Sequence, residues 1–372
     1  MIICIDAIQE KRYPMPTETP DFSFLGAPAR LDSTDDLVRG IELAMQLDES
    51  SAFLEGLSAR LTELGTPCTS ADTDIMLTEV KRRYKAILGK SCPRTVREWI
   101  RGTTPGFTNR LNQYELCFAL ELDCTQTAEF FRERFLTLPF YVKNRIDAVF
   151  LYALLRGRPY AVISEMLEQA NGFVPQENAR TETAQISSAI RQIDDDTQFL
   201  RYLSAHCYGN EQQFQMARKH IDRELAIVKQ TILKYETERT LSPERLGSAV
   251  ISELLGYRYQ SRDHTSQRLP KRFTQSLPND VTLGKIVRGE TASYELLRKT
   301  LILLRFYNFY SEAENTSPEI IAANLLDFYE ELKTMLLSCG FAGLYARHPF
   351  DCLILYCANS YEPIVTLHSM NE

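Results

Sequence analysis

Residues 141–166 read YVKNRIDAVFLYALLRGRPYAVISEM, and residues 345–370 read YARHPFDCLILYCANSYEPIVTLHSM. Set against each other at a constant offset of 204 positions, with no gap, they share six of 26 residues. The identical pairs are Tyr141/Tyr345, Asp147/Asp351, Leu151/Leu355, Tyr152/Tyr356, Pro159/Pro363 and Met166/Met370, and Lys143 matches Arg347 in charge. The shared order is a tyrosine, a basic residue, an aspartate, an apolar run, a tyrosine, a proline and a methionine. That order reads as two helices that plug a bundle, used twice. A carboxylate at the start of an apolar helix can cap it or favour its dipole, which is the expected role of Asp147 and Asp351. The basic residue four positions earlier is placed to pair with it.

Working outward, helical spacing dominates the chain. Residues 1–32 hold four prolines and no helical period, with a short strand expected at Ile2–Ile8. Helices are expected from Ser33 and over SAFLEGLSARLTELG, Asp72–Leu88 and Arg94–Arg101. Ser91 is the expected cap of the last of these, with Pro93 in its first turn. Thr125 is the expected cap of the helix in CTQTAEFFRERFL, with Ala128, Phe131 and Phe135 beneath it. Ser242–Pro243 and Ser317–Pro318 each read as a cap followed by an N1 proline. Residues 173–183 read as a linker. Phe306, Tyr307, Phe309 and Tyr310 crowd one helix, so some must cover a neighbouring helix or face out.

Charge is unevenly placed. The chain carries a net −7, yet residues 79–110 hold nine basic and two acidic residues, and residues 1–78 hold fourteen acidic and five basic ones. A concentrated basic segment in an acidic chain points to a nucleic-acid backbone. It also allows the acidic N-terminal part to dock on the basic segment. At about 100° per residue from Arg94, Arg97 falls near 300° and Arg101 near 340°. On the same scale Val96, Trp99 and Ile100 fall near 200°, 140° and 240°. The helix therefore has an apolar face with the chain's single tryptophan and a separate arginine face.

The elements REWIRGTTPG, YELCFALELD, PFY, KNRID and AVFLYAL, in this order, resemble the lambda-repressor-like (Cro/repressor-type) helix-turn-helix proteins of Firmicutes and mobile elements. The resemblance covers about residues 74–172. Thr103 and Thr104 stand where such proteins often carry basic residues. The C-terminal copy keeps only the rear half, GLYARHPFDCLILYCA. The resemblance implies double-stranded DNA as partner, with the N-terminal end of the second helix in the major groove. Arg94, Thr95 and Arg97 would then stand at base edges. Lys81, Arg82, Lys85, Lys90 and Arg101 would neutralise phosphates.

The expected fold is mainly α and multi-helical: a helix-turn-helix module, then helical-bundle domains with a partial internal repeat. The expected divisions are an irregular segment (1–32), an acidic helical region (33–71), the helix-turn-helix-like domain (72–172), a linker and connector (173–236) and a C-terminal helical domain (237–372).

Two other readings stand beside DNA binding. Glu98 at helical spacing from Arg94 and Arg101 makes an ordinary solvated ion-paired face. A helical repeat also suits a scaffold for a protein partner, or self-association through the C-terminal helices. No phosphate loop, H-E-x-x-H or nucleophile elbow occurs, so no enzyme, catalytic residue or cofactor is expected. Asp72, Asp74 and Asp194–Asp196 precede helices and read as caps. Cys339, His348, Cys352, Cys357 and His368 lack zinc-site spacing, so no metal is expected. No run approaches a membrane span, no signal peptide is apparent and the nine cysteines read as reduced, so a cytoplasmic protein is expected.

Overall fold

The helical periods become fifteen α-helices among the described residues, which are 21–30, 39, 40, 42, 49–103, 105, 109–135, 137–173, 183–207, 210–235, 246–248, 251, 277–290, 292–346 and 348–371 of a computed structural model. They are α1 (Glu49–Glu63), α2 (Thr73–Ile87), α3 (Arg94–Ile100), α4 (Arg110–Ala119), α5 (Cys124–Glu133), α6 (Arg145–Arg156), α7 (Tyr160–Asn171), α8 (Thr183–Gln192), α9 (Asp196–His206), α10 (Asn210–Tyr235), α11 (Asp280–Val287), α12 (Tyr294–Tyr310), α13 (Pro318–Ser338), α14 (Pro349–Ala358) and α15 (Pro363–Asn371). A short 3-10 turn at Ser23–Leu25 precedes them. The protein is all-α: the only β feature among the described residues is one bridge, Ala29 to Ser360. The strand expected at Ile2–Ile8, the Ser242–Pro243 start, residues 174–182 of the linker and most of the helix expected from Ser33 lie outside the described residues.

Local chemistry sets the helix ends. Ser317 caps α13 with Pro318 in its first turn, as the sequence suggests. Asp195 caps α9 through the Gln198 amide. Several caps differ from expectation. Asp72 holds the cap position of α2 but turns its carboxylate to Thr69, and Asp74 and Asp196 fall inside their helices. Asp123, not Thr125, caps α5, because Asp123 and Gln126 exchange bonds as a capping box and Thr125 falls inside the helix. At α3 the cap position belongs to Pro93, which has no side-chain acceptor, while Ser91 stays exposed two residues earlier.

Two hydrophobic cores organise the helices. One gathers residues from Phe53 to Cys207, on α1–α9. The other gathers α10–α15 and takes in Leu25 and Ala29 from the N-terminal segment. The principal helix–helix packings all fall within one core or the other. Residues 21–30 run along the second core. Ala29 exchanges backbone bonds with Asn359 and Tyr361, and Phe22 packs edge-on against Tyr329. The aromatic stripe of α12 is core: Phe306, Phe309 and Tyr310 close around Phe328 of α13, with centroids 5.3–5.7 Å away.

The two matched segments share local geometry. α6 and α14 begin 204 residues apart, capped by Asn144 and His348 at equivalent positions. The aspartates of the repeat are therefore not the caps. Each is buried in the first turn and clasped by an arginine from an earlier helix. Arg110 of α4 bonds Asp147 with both Nε (2.7 Å) and Nη2. Arg298 of α12 bonds Asp351 with Nη1 (2.9 Å) and Nη2 (2.6 Å). The same carboxylates accept the Tyr141 and Tyr345 amides, at 2.6 and 2.9 Å. Lys143 is not the partner of Asp147, and Arg347 lies outside the described residues. A planar guanidinium satisfies a buried carboxylate with two charge-assisted bonds, which a flexible ammonium on the surface does not.

The clasps also fix the loops before α6 and α14. Arg110 donates to Thr137 Oγ1 (2.9 Å) and to the Leu138 carbonyl, while Arg298 donates to the Ala342 (3.0 Å) and Gly343 (2.8 Å) carbonyls. A tyrosine hydroxyl one turn away on the same helix accepts a loop amide in each copy. Phe140 N donates to Tyr114 and Ala342 N donates to Tyr294. The copies meet where Gly340, at φ +74°, faces the Tyr141 ring so closely that an added Cβ would lie 2.5 Å from it.

Candidate nucleic-acid interface

The basic segment folds as α2, a loop and α3. α2 buries Met76, Leu77, Val80 and Tyr84. α3 buries Val96, Trp99 and Ile100, as the angular reading requires. Trp99 packs against Phe53 of α1 and against Phe135, with centroids near 6 Å, so it anchors the short helix to the core. α3 has seven residues, about two turns. It is held from inside by side chains rather than by its own length.

The eight candidate contact residues differ in what they do. Lys81, Lys85 and Arg101 are exposed and form no ion pair among the described residues. Arg94 is 84% exposed along its side chain but bonds Glu98 at 2.7 Å, the pair that helical spacing allows. Arg82 is exposed and held by both oxygens of Glu79. Thr95 and Arg97 are half-buried, and the Arg97 Nε is buried without a partner. Lys90 turns inward to the buried carboxylate of Glu115 on α4. Lys81 of α2 and Arg97 of α3 converge near Cys92. Burial pushes that thiol up to about 11, against the pull of both cations.

Two supporting networks are not apparent from composition. Arg83, in the middle of the basic run, is buried and bridges Glu79 (2.8 Å) to Glu121 (2.7 Å). The three- and four-residue spacing of Glu79 from Arg82 and Arg83 carries that signal in the sequence. Glu115 accepts from both Lys90 and Tyr160, and ties the loop before α3 to α4 and α7. Burial, then Glu115, drive the Tyr160 hydroxyl far above its ordinary range. A glutamate on the apolar side of YELCFAL is the only trace of it in the sequence.

The Cys/His group of the C-terminal half is packed rather than open. His348 Nδ1 stands 3.3 Å from both the amide and the carboxylate of Asp351. Cys352 and Cys357 are buried, and burial pushes Cys352 up to about 12. Among the described residues no three His, Cys, Asp or Glu side chains gather as a metal site would require. None of the described helices is long and apolar enough to cross a membrane. No protein-family model, no curated protein and no solved structure matches this chain.

Proposed function

We propose that the chain binds double-stranded DNA through α2 and α3, as a non-enzymatic helix-turn-helix protein that regulates transcription or serves a mobile element or defence system. The observation that carries this reading is the two-sided α3. Val96, Trp99 and Ile100 are sealed in the core, while Arg94 and Arg101 are exposed, as are Lys81 and Lys85 on α2. Two turns present few side chains to a groove, so base contact rests on Arg94, Thr95 and Arg97. Phosphate contact then supplies most of the affinity. Lys90 supports the surface from behind by its bond to Glu115, and Arg82 reaches a phosphate only by leaving Glu79.

Fluorescence anisotropy with a labelled random-sequence duplex tests this. Lys81, Lys85 and Arg101 at phosphates give a slope of about −3 in log K against log salt. The double variant R94E/R97E is expected to lose binding. E98Q, which frees Arg94, is expected to tighten it by a few fold. Failure of the wild-type chain to retain DNA at about 50 mM salt refutes the reading. It would leave the ion-paired solvated face and the protein scaffold as the remaining accounts.

A further inference from the structure

A cavity of about 500 Å³ lies where the two copies of the repeat face each other. The loop 137–140 forms one wall and the loop 342–345 the other, and these loops are equivalent in the repeat. Each arginine clasp draws loop carbonyls inward, those of Leu138, Ala342 and Gly343. The loops are thereby fixed in place before any ligand arrives, and their apolar side chains line the space. Leu138, Phe140 and Leu151 come from the first copy, and Leu337 and Leu344 from the second. The volume lies within the range of small-molecule sites.

The charge of the lining is one-sided. Arg132 of α5, Arg191 of α8 and Lys333 of α13 line the cavity, and no described Asp or Glu does. Lys333 spans the Tyr329 ring and Glu330, which lies outside the lining, whereas Arg132 has no ion-pair partner among the described residues. In a chain of net charge −7, Arg132 and Lys333 stand at an apolar cavity that no described carboxylate lines, which sets it for an anion.

We infer that this cavity binds a small amphipathic carboxylate, its apolar chain between the two loops and its carboxylate between Arg132 and Lys333. The apolar wall selects a chain or ring of about ten carbons, and the cations reject neutral and cationic analogues of the same size. This inference is independent of DNA binding, because no described residue of α2 or α3 lines the cavity.

Isothermal titration of the full chain with sodium decanoate tests it, with decanol and decyltrimethylammonium as matched neutral and cationic probes. Decanoate is expected to bind saturably, and the other two at least tenfold more weakly. The double variant R132E/K333E is expected to weaken decanoate at least tenfold. Gly343 has ordinary backbone geometry, and an added Cβ there meets only the Lys333 stem at 3.6 Å. G343L is therefore expected to fill the cavity and abolish binding while thermal unfolding stays unchanged. Absence of saturable decanoate binding, or decanol binding as tightly as decanoate, overturns the proposal on the wild-type chain alone. Unchanged binding in a folded R132E/K333E variant also overturns it.

Discussion

The two copies of the clasp carry the same bonds in unequal surroundings. In the first copy the Arg110 side chain is 15% exposed, and in the second the Arg298 side chain is 3% exposed. Burial alone would push the Asp351 carboxyl up, but Arg298 and then His348 outweigh it and hold it well below the usual carboxylate range. The elements in front differ too. The first copy follows the short basic α2 and α3, whereas the second has the long α10 packed along α12. One packing device thus supports two different fronts, and the first carries the exposed cations of α2 and α3.

Breaking the clasps measures this asymmetry most directly. D351A strands Arg298 in the core and is expected to cost about 3–5 kcal/mol in urea unfolding. D147A is expected to cost less, about 2–3 kcal/mol, because water reaches Arg110. Equal losses would show that the exposure difference has no energetic weight. The junction comes next. G340A forces a side chain into the left-handed region and against the Tyr141 ring, for an expected loss of about 2–4 kcal/mol by thermal or urea unfolding.

Smaller effects sharpen the same contrast. N144A removes the cap bond to the Ile146 amide and is expected to cost about 1 kcal/mol. The acid limb of the stability curve isolates the second copy. Asp351 titrates lower in the folded chain than in the unfolded one. Its contribution is therefore complete above the unfolded pKa of about 3.9 and drains away as pH falls through the folded value. In a pH series of urea midpoints from about pH 5 to pH 2, D351N is expected to flatten part of the wild-type decline. An unaltered acid limb in D351N would remove Asp351 from this account.

The rear half of each copy is legible in the sequence because α6 and α14 start 204 residues apart and no insertion separates the matched residues that follow. Asp147/Asp351 align since both carboxylates accept an arginine and a loop amide, and Leu151/Leu355 since both fill a core; Tyr141 and Tyr345 give only their backbone amides to that bond, which does not require a tyrosine. The arginines that complete the clasps are not legible. α4 and α5 have ten residues each, while α12 and α13 have 17 and 21, so no ungapped register brings Arg110 onto Arg298. The burial of Val96, Trp99 and Ile100 could be read from angle alone, because a helix separates faces regardless of its tertiary partners. The engagement of Lys90 could not be, because its partner Glu115 lies 25 residues away on another helix.

The cysteines acquire a use from where they sit. Cys92, Cys117 and Cys207 are buried in the first core, Cys339 and Cys357 in the second, and Cys352 is buried on α14 between them in sequence. Burial raises the pKa of each of these thiols, so each is slow to alkylate while its surroundings stay closed. Alkylation kinetics resolved by peptide mass therefore give each half its own clock of local opening, without any label being introduced.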